Sequence, residues 1–300
     1  MSEIERVSYD EFSYFQDNAD EVGILWNGPP AVQRISTKVD ANRFLSALQW
    51  GTEPPEIVLL HGGAQNAHTW DTVALALNRP LLAIDLPGHG HSDGGKNGSL
   101  NIRANAEDLA VVINERAPNA QLIVGMSLGG MTSVALAAHA PEIVRKLALV
   151  DVTPGVDGPK SQQIANFING PESFSNFNEL LARTIEFNPT RTESSLRRGI
   201  LHNALQLDDG SWVWRYRRMT ETGGDHPDFG SLWDDIGRTT MPLMLARGML
   251  SQSVVDDADE AELLRRRPNA QVIHFAEAGH SIQGDQPVEL ARTLETFLNT

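Results

Sequence analysis

Leu122-Ile123-Val124-Gly125-Met126-Ser127-Leu128-Gly129-Gly130 is the stretch that decides the fold. Three apolar residues run straight into G-x-S-x-G, and a helix-like segment over residues 130–140 follows without a break. That context, strand then sharp turn then helix, separates a serine-bearing elbow from a chance glycine–serine turn. The turn demands small flanking residues, because side chains there would collide with the backbone folding back beside them. Ala135, Ala137 and Ala138 let the helix lie close on a sheet. Its N-terminus aims free N–H groups at any negative charge that develops at the serine.

Outward from this stretch, short apolar runs recur, each stopping at polar or glycine residues. Ile57-Val58-Leu59-Leu60 stops at His61-Gly62-Gly63, and Leu81-Leu82-Ala83-Ile84 stops at Asp85-Leu86-Pro87-Gly88. Leu147-Ala148-Leu149-Val150 stops at Asp151, Leu243-Met244-Leu245-Ala246 at Arg247-Gly248, and Val272-Ile273-His274-Phe275 just before Gly279-His280. Continuous apolar strands separated by helix-length segments predict a mostly parallel, doubly wound sheet covered on both faces. Functional residues then gather past the carboxyl ends of the strands. Ahead of this core, Val32–Lys38 and residues 42–50 read as an antiparallel hairpin. Residues 1–30 are polar, end in Gly28-Pro29-Pro30, and read as an N-terminal extension.

One segment breaks the rhythm. From Val152 to about Asp235 there is no core-type strand, only helical patches (162–168, 177–185, 194–205) and the aromatic run Trp212-Val213-Trp214-Arg215-Tyr216. The expected organisation is a core of residues 1–152 and 236–300 with a mainly helical cap over 153–235, inserted after the sixth strand.

Composition narrows the function. A chain of 300 residues buries a sizeable core without staples. With no cysteine, disulfides, thiolate zinc sites, iron–sulfur clusters and cysteine nucleophiles are excluded. Thirty-nine acidic against 24 basic side chains give a net charge of −15, which repels nucleic acid and anionic membranes. The uncharged stretch 117–141 is long enough to span a bilayer, but its glycines and polar residues read better as buried strand then buried helix. The acidic N-terminus has no secretion signal pattern, so a cytoplasmic location is expected.

A serine hydroxyl needs a base within hydrogen-bond reach. His280, in a loop past the last strand, stands in the Ser-then-His order this architecture uses. After the first core strand, the loop His61-Gly62-Gly63-Ala64 can supply a backbone N–H to an oxyanion hole. Gly63 is the preferred donor and Ala64 the alternative, with Leu128 N–H as the second donor. His61 reads as a hydrogen-bond donor organising that loop.

Together, IVLLHGG (57–63), AIDLPGHGHSD (83–93), IVGMSLGG (123–130), LALVDVTPG (147–155) and AGHSIQGDQPVEL (278–290) resemble the α/β-hydrolase superfamily. The pattern is most similar to its capped, serine-dependent esterase-like and C–C hydrolase-like branches, and the resemblance runs from about residue 40 to the end. It implies a triad, whose acid many relatives carry a few residues after the Arg-Gly that ends the seventh strand. Here Gln252 or Ser253 stands at that place, and neither carries charge. Asp151, where some relatives bear their acid, is preferred. Asp256 is the alternative, though it also suits the N-cap of the next helix. A histidine with no carboxylate partner is the third possibility.

Other signals carry less. His89-Gly90-His91-Ser92-Asp93 resembles part of the metallo-β-lactamase zinc signature but lacks further ligands; no metal and no cofactor are expected. Trp212, Trp214 and Tyr216 alternate with Arg215 and Arg217, followed by Arg218. This reads as a cap strand with an aromatic and a basic face rather than a base-stacking platform. Arg265-Arg266-Arg267 reads as a solvated helix end, and Trp70 and Phe174 as core or pocket. The function this implies is a cofactor-independent serine hydrolase. It cleaves an ester, thioester, lactone or activated C–C bond of a small to medium hydrophobic substrate through an acyl-enzyme. A monomer or homodimer, with a small molecule as partner, is expected. The rivals are a cofactor-free oxygenase or lyase on the same fold, with His280 as base, and a ligand-binding protein without turnover.

Overall fold

The computed structural model describes residues 6–96, 101–156, 158–217 and 229–300. In chain order the elements are α1 (Phe15–Glu21), β1 (Val32–Lys38), β2 (Phe44–Trp50), β3 (Ile57–Leu60), α2 (Asp71–Leu77), β4 (Leu81–Ile84), α3 (Ile102–Arg116), β5 (Leu122–Met126), α4 (Leu128–His139) and β6 (Leu147–Val150). The inserted segment follows with α5 (Gly158–Ile168), β7 (Ser173–Phe174), α6 (Phe177–Phe187), α7 (Glu193–Asn203), β8 (Ala204–Gln206) and β9 (Trp212–Trp214). The chain ends with α8 (Leu232–Arg238), β10 (Leu243–Gly248), α9 (Asp257–Arg266), β11 (Gln271–Phe275), α10 (Ile282–Asp285) and α11 (Pro287–Leu298).

Eight strands form one sheet in the order β1-β2-β4-β3-β5-β6-β10-β11. The β1/β2 hairpin is antiparallel, β2 joins β4 antiparallel, and all other pairings are parallel. Alternation along each strand divides the side chains between two cores. Ile57 and Leu59 pack with Trp70 and with Leu290, Leu294 and Phe297 of α11. Val58 and Leu60 pack on the other face with Leu109 and Ile113 of α3 and Val134 of α4. Both faces are dry, which is why the strands are apolar without interruption.

The helix α4 lies very close to the sheet, and the glycines of the elbow make this possible. A methyl group on Gly125 would lie 2.5 Å from the Gly129 carbonyl oxygen. One on Gly129 would lie 2.6 Å from the His61 carbonyl and strike that of Leu60 as well. Backbone cannot move out of the way as a side chain can, so these positions exclude every other residue. The uncharged stretch 117–141 is accordingly β5 and α4, and among the described residues no helix is long and apolar enough to cross a membrane.

In the inserted segment, β7, β9 and β8 form a small antiparallel sheet. With α6 and α7 it encloses its own core of Phe174, Leu180, Leu181, Leu196, Ile200 and Trp212. Leu232 and Ile236 of α8 already belong to the main core. Trp70 is fully buried in the main core and Phe174 in the small one.

The N-terminal segment departs from the expected extension. Phe15 and Ala19 of α1 are buried, with the Phe15 ring 4.9 Å from that of Trp50. Polar side chains before and within α1 tie core to cap. Glu11 pairs with Arg34 and with His68 Nε2 (3.0 Å). Tyr9 Oη meets His202 Nδ1 at 2.9 Å. Asn18 and Glu21 both take Arg198 of α7. The segment is a strap, and only its contacts with distant residues reveal it.

Candidate active site

Ser127 joins β5 to α4 with φ 50° and ψ −118°. This backbone is rare for a residue with a side chain, and it persists because β5 and α4 are both locked in place. Leu128 is the first residue of α4, so its N–H has no acceptor within the helix. Across from it stands the loop after β3. There the Ala64 N–H donates to His89 Nε2 at 3.1 Å, which removes Ala64 from candidacy as an oxyanion donor. Gly63 and Ala64 both border the cavity, and of the two only the Ala64 N–H is held by His89. The Ala64 carbonyl accepts from Asn203 Nδ2 at 2.6 Å, so the end of α7 braces this loop.

His61 and His89 are scaffold. Both are buried, and burial pushes both imidazoles down, His89 to about 3. Held neutral, each donates from Nδ1 to a carbonyl (Gly62 at 2.7 Å, Pro87 at 3.1 Å) and accepts a backbone N–H at Nε2. His91 and Asp93 are exposed, and Asp93 accepts the Phe44 N–H at 2.8 Å. The His-x-His-x-Asp run therefore converges on no common point. Among the described residues, the three groups close enough to hold a metal are His68, Asp71 and His202, with ligand atoms within 4.8 Å of one another. His68 Nδ1 meets Asp71 Oδ2 at 2.8 Å. Burial opposes a charge on His68, yet Asp71 and Glu11 carry its pKa up to about 9.

His280 follows β11, and its Nδ1 lies 3.0 Å from Asp151 Oδ2. Asp151 is fully buried at the tip of β6, in the left-handed region with φ 46°. Its carboxylate accepts three further hydrogen bonds. Oδ1 takes the Gly248 N–H (2.8 Å) and the Ser253 hydroxyl (2.7 Å), and Oδ2 takes the Val254 N–H (3.0 Å). The segment after β10 thus carries no acid but holds the acid of the neighbouring strand. Sequence reasoning missed Ser253 in this part; a hydroxyl at the place vacated by a carboxylate was the available signal. Asp256 is elsewhere. It caps α9 in a capping box with Asp259 and pairs with Lys160 at 2.9 Å, which holds its carboxyl down to about 2. It makes no bond to His280.

His280 Nε2 is buried without a hydrogen-bond partner among the described residues, and no bond to Ser127 Oγ is formed. Both residues line one cavity of about 290 Å³, which residues of the inserted segment also line. Catalytic hydrogen bonds often close only when substrate arrives. The cavity wall is mixed rather than uniformly apolar. Phe167, Ile168 and Phe187 come from the cap helices, while Arg191, Ser195 and Gln283 add polar surface. Trp214 also borders it, stacked on Tyr216 at 5.5 Å, whereas Trp212 is buried in the cap core. Arg217 is exposed, and Arg218 lies outside the described residues. At the far side of the core, Arg265 and Arg266 pair with Glu262 on α9.

The model of the alpha/beta hydrolase family matches residues 57–293. Esterase Rv0045c of Mycobacterium tuberculosis is 43% identical over all of this chain and 99% of its own. Its crystal structure superposes with a TM-score of 0.84, covering 99% of this chain and 100% of that one. A pimeloyl-[acyl-carrier protein] methyl ester esterase of Nitrosomonas europaea is 28% identical, over 76% of this chain and 89% of its own. A 2-(acetamidomethylene)succinate hydrolase of Mesorhizobium japonicum is 25% identical, over 88% of this chain and 95% of its own.

Proposed function

The chain belongs to the alpha/beta hydrolase family, and from that premise we propose that it is a carboxylic ester hydrolase acting through an acyl-enzyme on Ser127. Ser127 Oγ attacks the ester carbonyl carbon while His280 Nε2 takes the hydroxyl proton. The Gly63 and Leu128 N–H groups receive the oxyanion, each worth ~3 kcal/mol in comparable sites. Collapse of the tetrahedral intermediate expels the alcohol, which takes its proton from His280. Water then attacks the acyl carbon with His280 again as base, and the acid leaves. Asp151 keeps the proton of the resting imidazole on Nδ1 and steadies the imidazolium that forms.

The observation that carries this reading is the pairing of His280: one ring nitrogen is tied to a buried carboxylate, the other has no partner among the described residues, and the residue lines the same cavity as Ser127. The names of two relatives, an esterase and a methyl ester esterase, point the same way. The test is covalent labelling by a fluorophosphonate probe. Ser127→Ala should lose the label and ester turnover while keeping its circular dichroism spectrum. A variant that still labels would refute the assignment of the nucleophile.

A further inference from the structure

Among the described residues, one lysine and two arginines border the cavity, and their surroundings differ. Lys160 lies between Asp256 (2.9 Å) and Asp259 (2.7 Å). Arg198 is taken up by Glu21, Asn18 and Ser194. Arg191, half-buried in the turn before α7, donates to one hydroxyl, Ser195 Oγ, and pairs with no carboxylate among the described residues.

Nearby acids act on Arg191 only from a distance, and the one that acts most strongly, Asp285, is already engaged. Asp285 accepts the Thr190 hydroxyl at 2.9 Å through one oxygen and the Gly279 N–H at 3.0 Å through the other. Burial pushes the Arg191 guanidinium below its ordinary range despite those acids. The group rests against Gly284 of α10, four residues after His280, where a Cβ would occupy the same space. A guanidinium offers five donors in a planar fork shaped for a carboxylate. Withdrawing it from water without an anionic partner is unfavourable, and an anion entering the cavity reverses that imbalance.

We infer that the cavity takes esters whose acyl chain ends in a carboxylate, with Arg191 as the residue that anchors it. The inference rests on the esterase reading above and assigns its substrate class: an amphipathic hemiester of a dicarboxylic acid. Its apolar chain lies along Phe167, Ile168 and Phe187, and its charged end reaches Arg191. The overall charge of −15 repels such a substrate at long range. That repulsion is screened beyond roughly 8–10 Å at ordinary ionic strength, so contact with Arg191 decides.

The test compares monomethyl esters of dicarboxylic acids of graded chain length with the corresponding dimethyl esters, following methanol release. At the best chain length the unaltered protein should favour the hemiester in kcat/KM by roughly tenfold or more, mainly through KM. Arg191→Met should lower that ratio by at least about tenfold, and Arg191→Lys should keep part of it. The preference should change little as salt rises, because a contact inside the cavity is screened much less than charges on the surface. A dimethyl ester used as well as or better than the hemiester by the unaltered protein overturns the inference, as does a ratio within about twofold of normal in Arg191→Met. If Arg191→Met does not fold, the ratio and its salt dependence in the unaltered protein decide alone. Fluorophosphonate labelling with turnover of the diester only leaves the esterase standing and removes the carboxylate. Turnover of neither ester, with no labelling, overturns both.

Discussion

Replacing Asp151 by asparagine isolates the charge of the buried acid from its shape. Asparagine tolerates the left-handed backbone at φ 46° as well as aspartate does, so no strain is added. Its amide oxygen can keep the Gly248 N–H and the Ser253 hydroxyl, now held at 2.8 and 2.7 Å. Its NH2 group then replaces the oxygen that accepts from Val254 N–H and His280 Nδ1, both at 3.0 Å. Facing a donor, Nδ1 becomes an acceptor and the imidazole proton moves to Nε2. The base that Ser127 needs is lost. In comparable triads this exchange lowers kcat about 10⁴-fold, or ~5 kcal/mol of transition-state stabilisation. The unpaired Val254 N–H adds a stability cost of ~1–3 kcal/mol. The assay is turnover of a neutral p-nitrophenyl ester beside thermal unfolding, with Asp256→Asn as the control. Asparagine caps helices as well as aspartate, so Asp256→Asn should leave kcat within about twofold. Asp151→Asn retaining activity within about tenfold, or Asp256→Asn falling further than Asp151→Asn, would remove Asp151 from the triad.

Gly129→Ala should destabilise the fold by about 3 kcal/mol or more in chemical denaturation, since the new methyl meets the backbone of Leu60 and His61; a loss below about 1 kcal/mol would contradict the close approach of α4. His89 should shape the acid limb of the stability curve. Its folded pKa is depressed by burial to about 3, so as pH falls below about 6.5 the unfolded chain gains a proton that the folded one does not. The stability it contributes is present above about pH 6.5 and is lost at up to ~1.4 kcal/mol per pH unit on the way down to about 3. His89→Gln, which does not titrate, should show a shallower acid limb by up to one proton, and an unchanged slope would mean that His89 protonates within the fold.

The sheet was legible because its strands are buried on both faces and therefore read as unbroken apolar runs, as at Ile57–Leu60 and Leu147–Val150. Ser127 and His280, which line one cavity, stood out as candidates because local chemistry, an elbow and a loop histidine past a strand, marks them. The strap was not legible. Glu11, Tyr9 and Asn18 look like solvated polar residues until Arg34, His202 and Arg198 are brought beside them by the fold. That the Ala64 N–H is engaged depends on His89, 25 positions along the chain. Asp151 was legible as a strand-end acid, but the three donors that hold it belong to a segment about a hundred residues later. Arg191 stood out in no pattern, because it sits in an irregular turn and what distinguishes it is that, among the described residues, no carboxylate pairs with it.

The parallel neighbours β6 and β10 run in step, with Val150 opposite Ala246, and Asp151 leaves the sheet one position further on. Strands in such a pair are about 4.8 Å apart, so a carboxylate rooted on either tip can touch the same imidazole. Divergence can slide the negative charge sideways from one tip to the next while serine and histidine stay where they are.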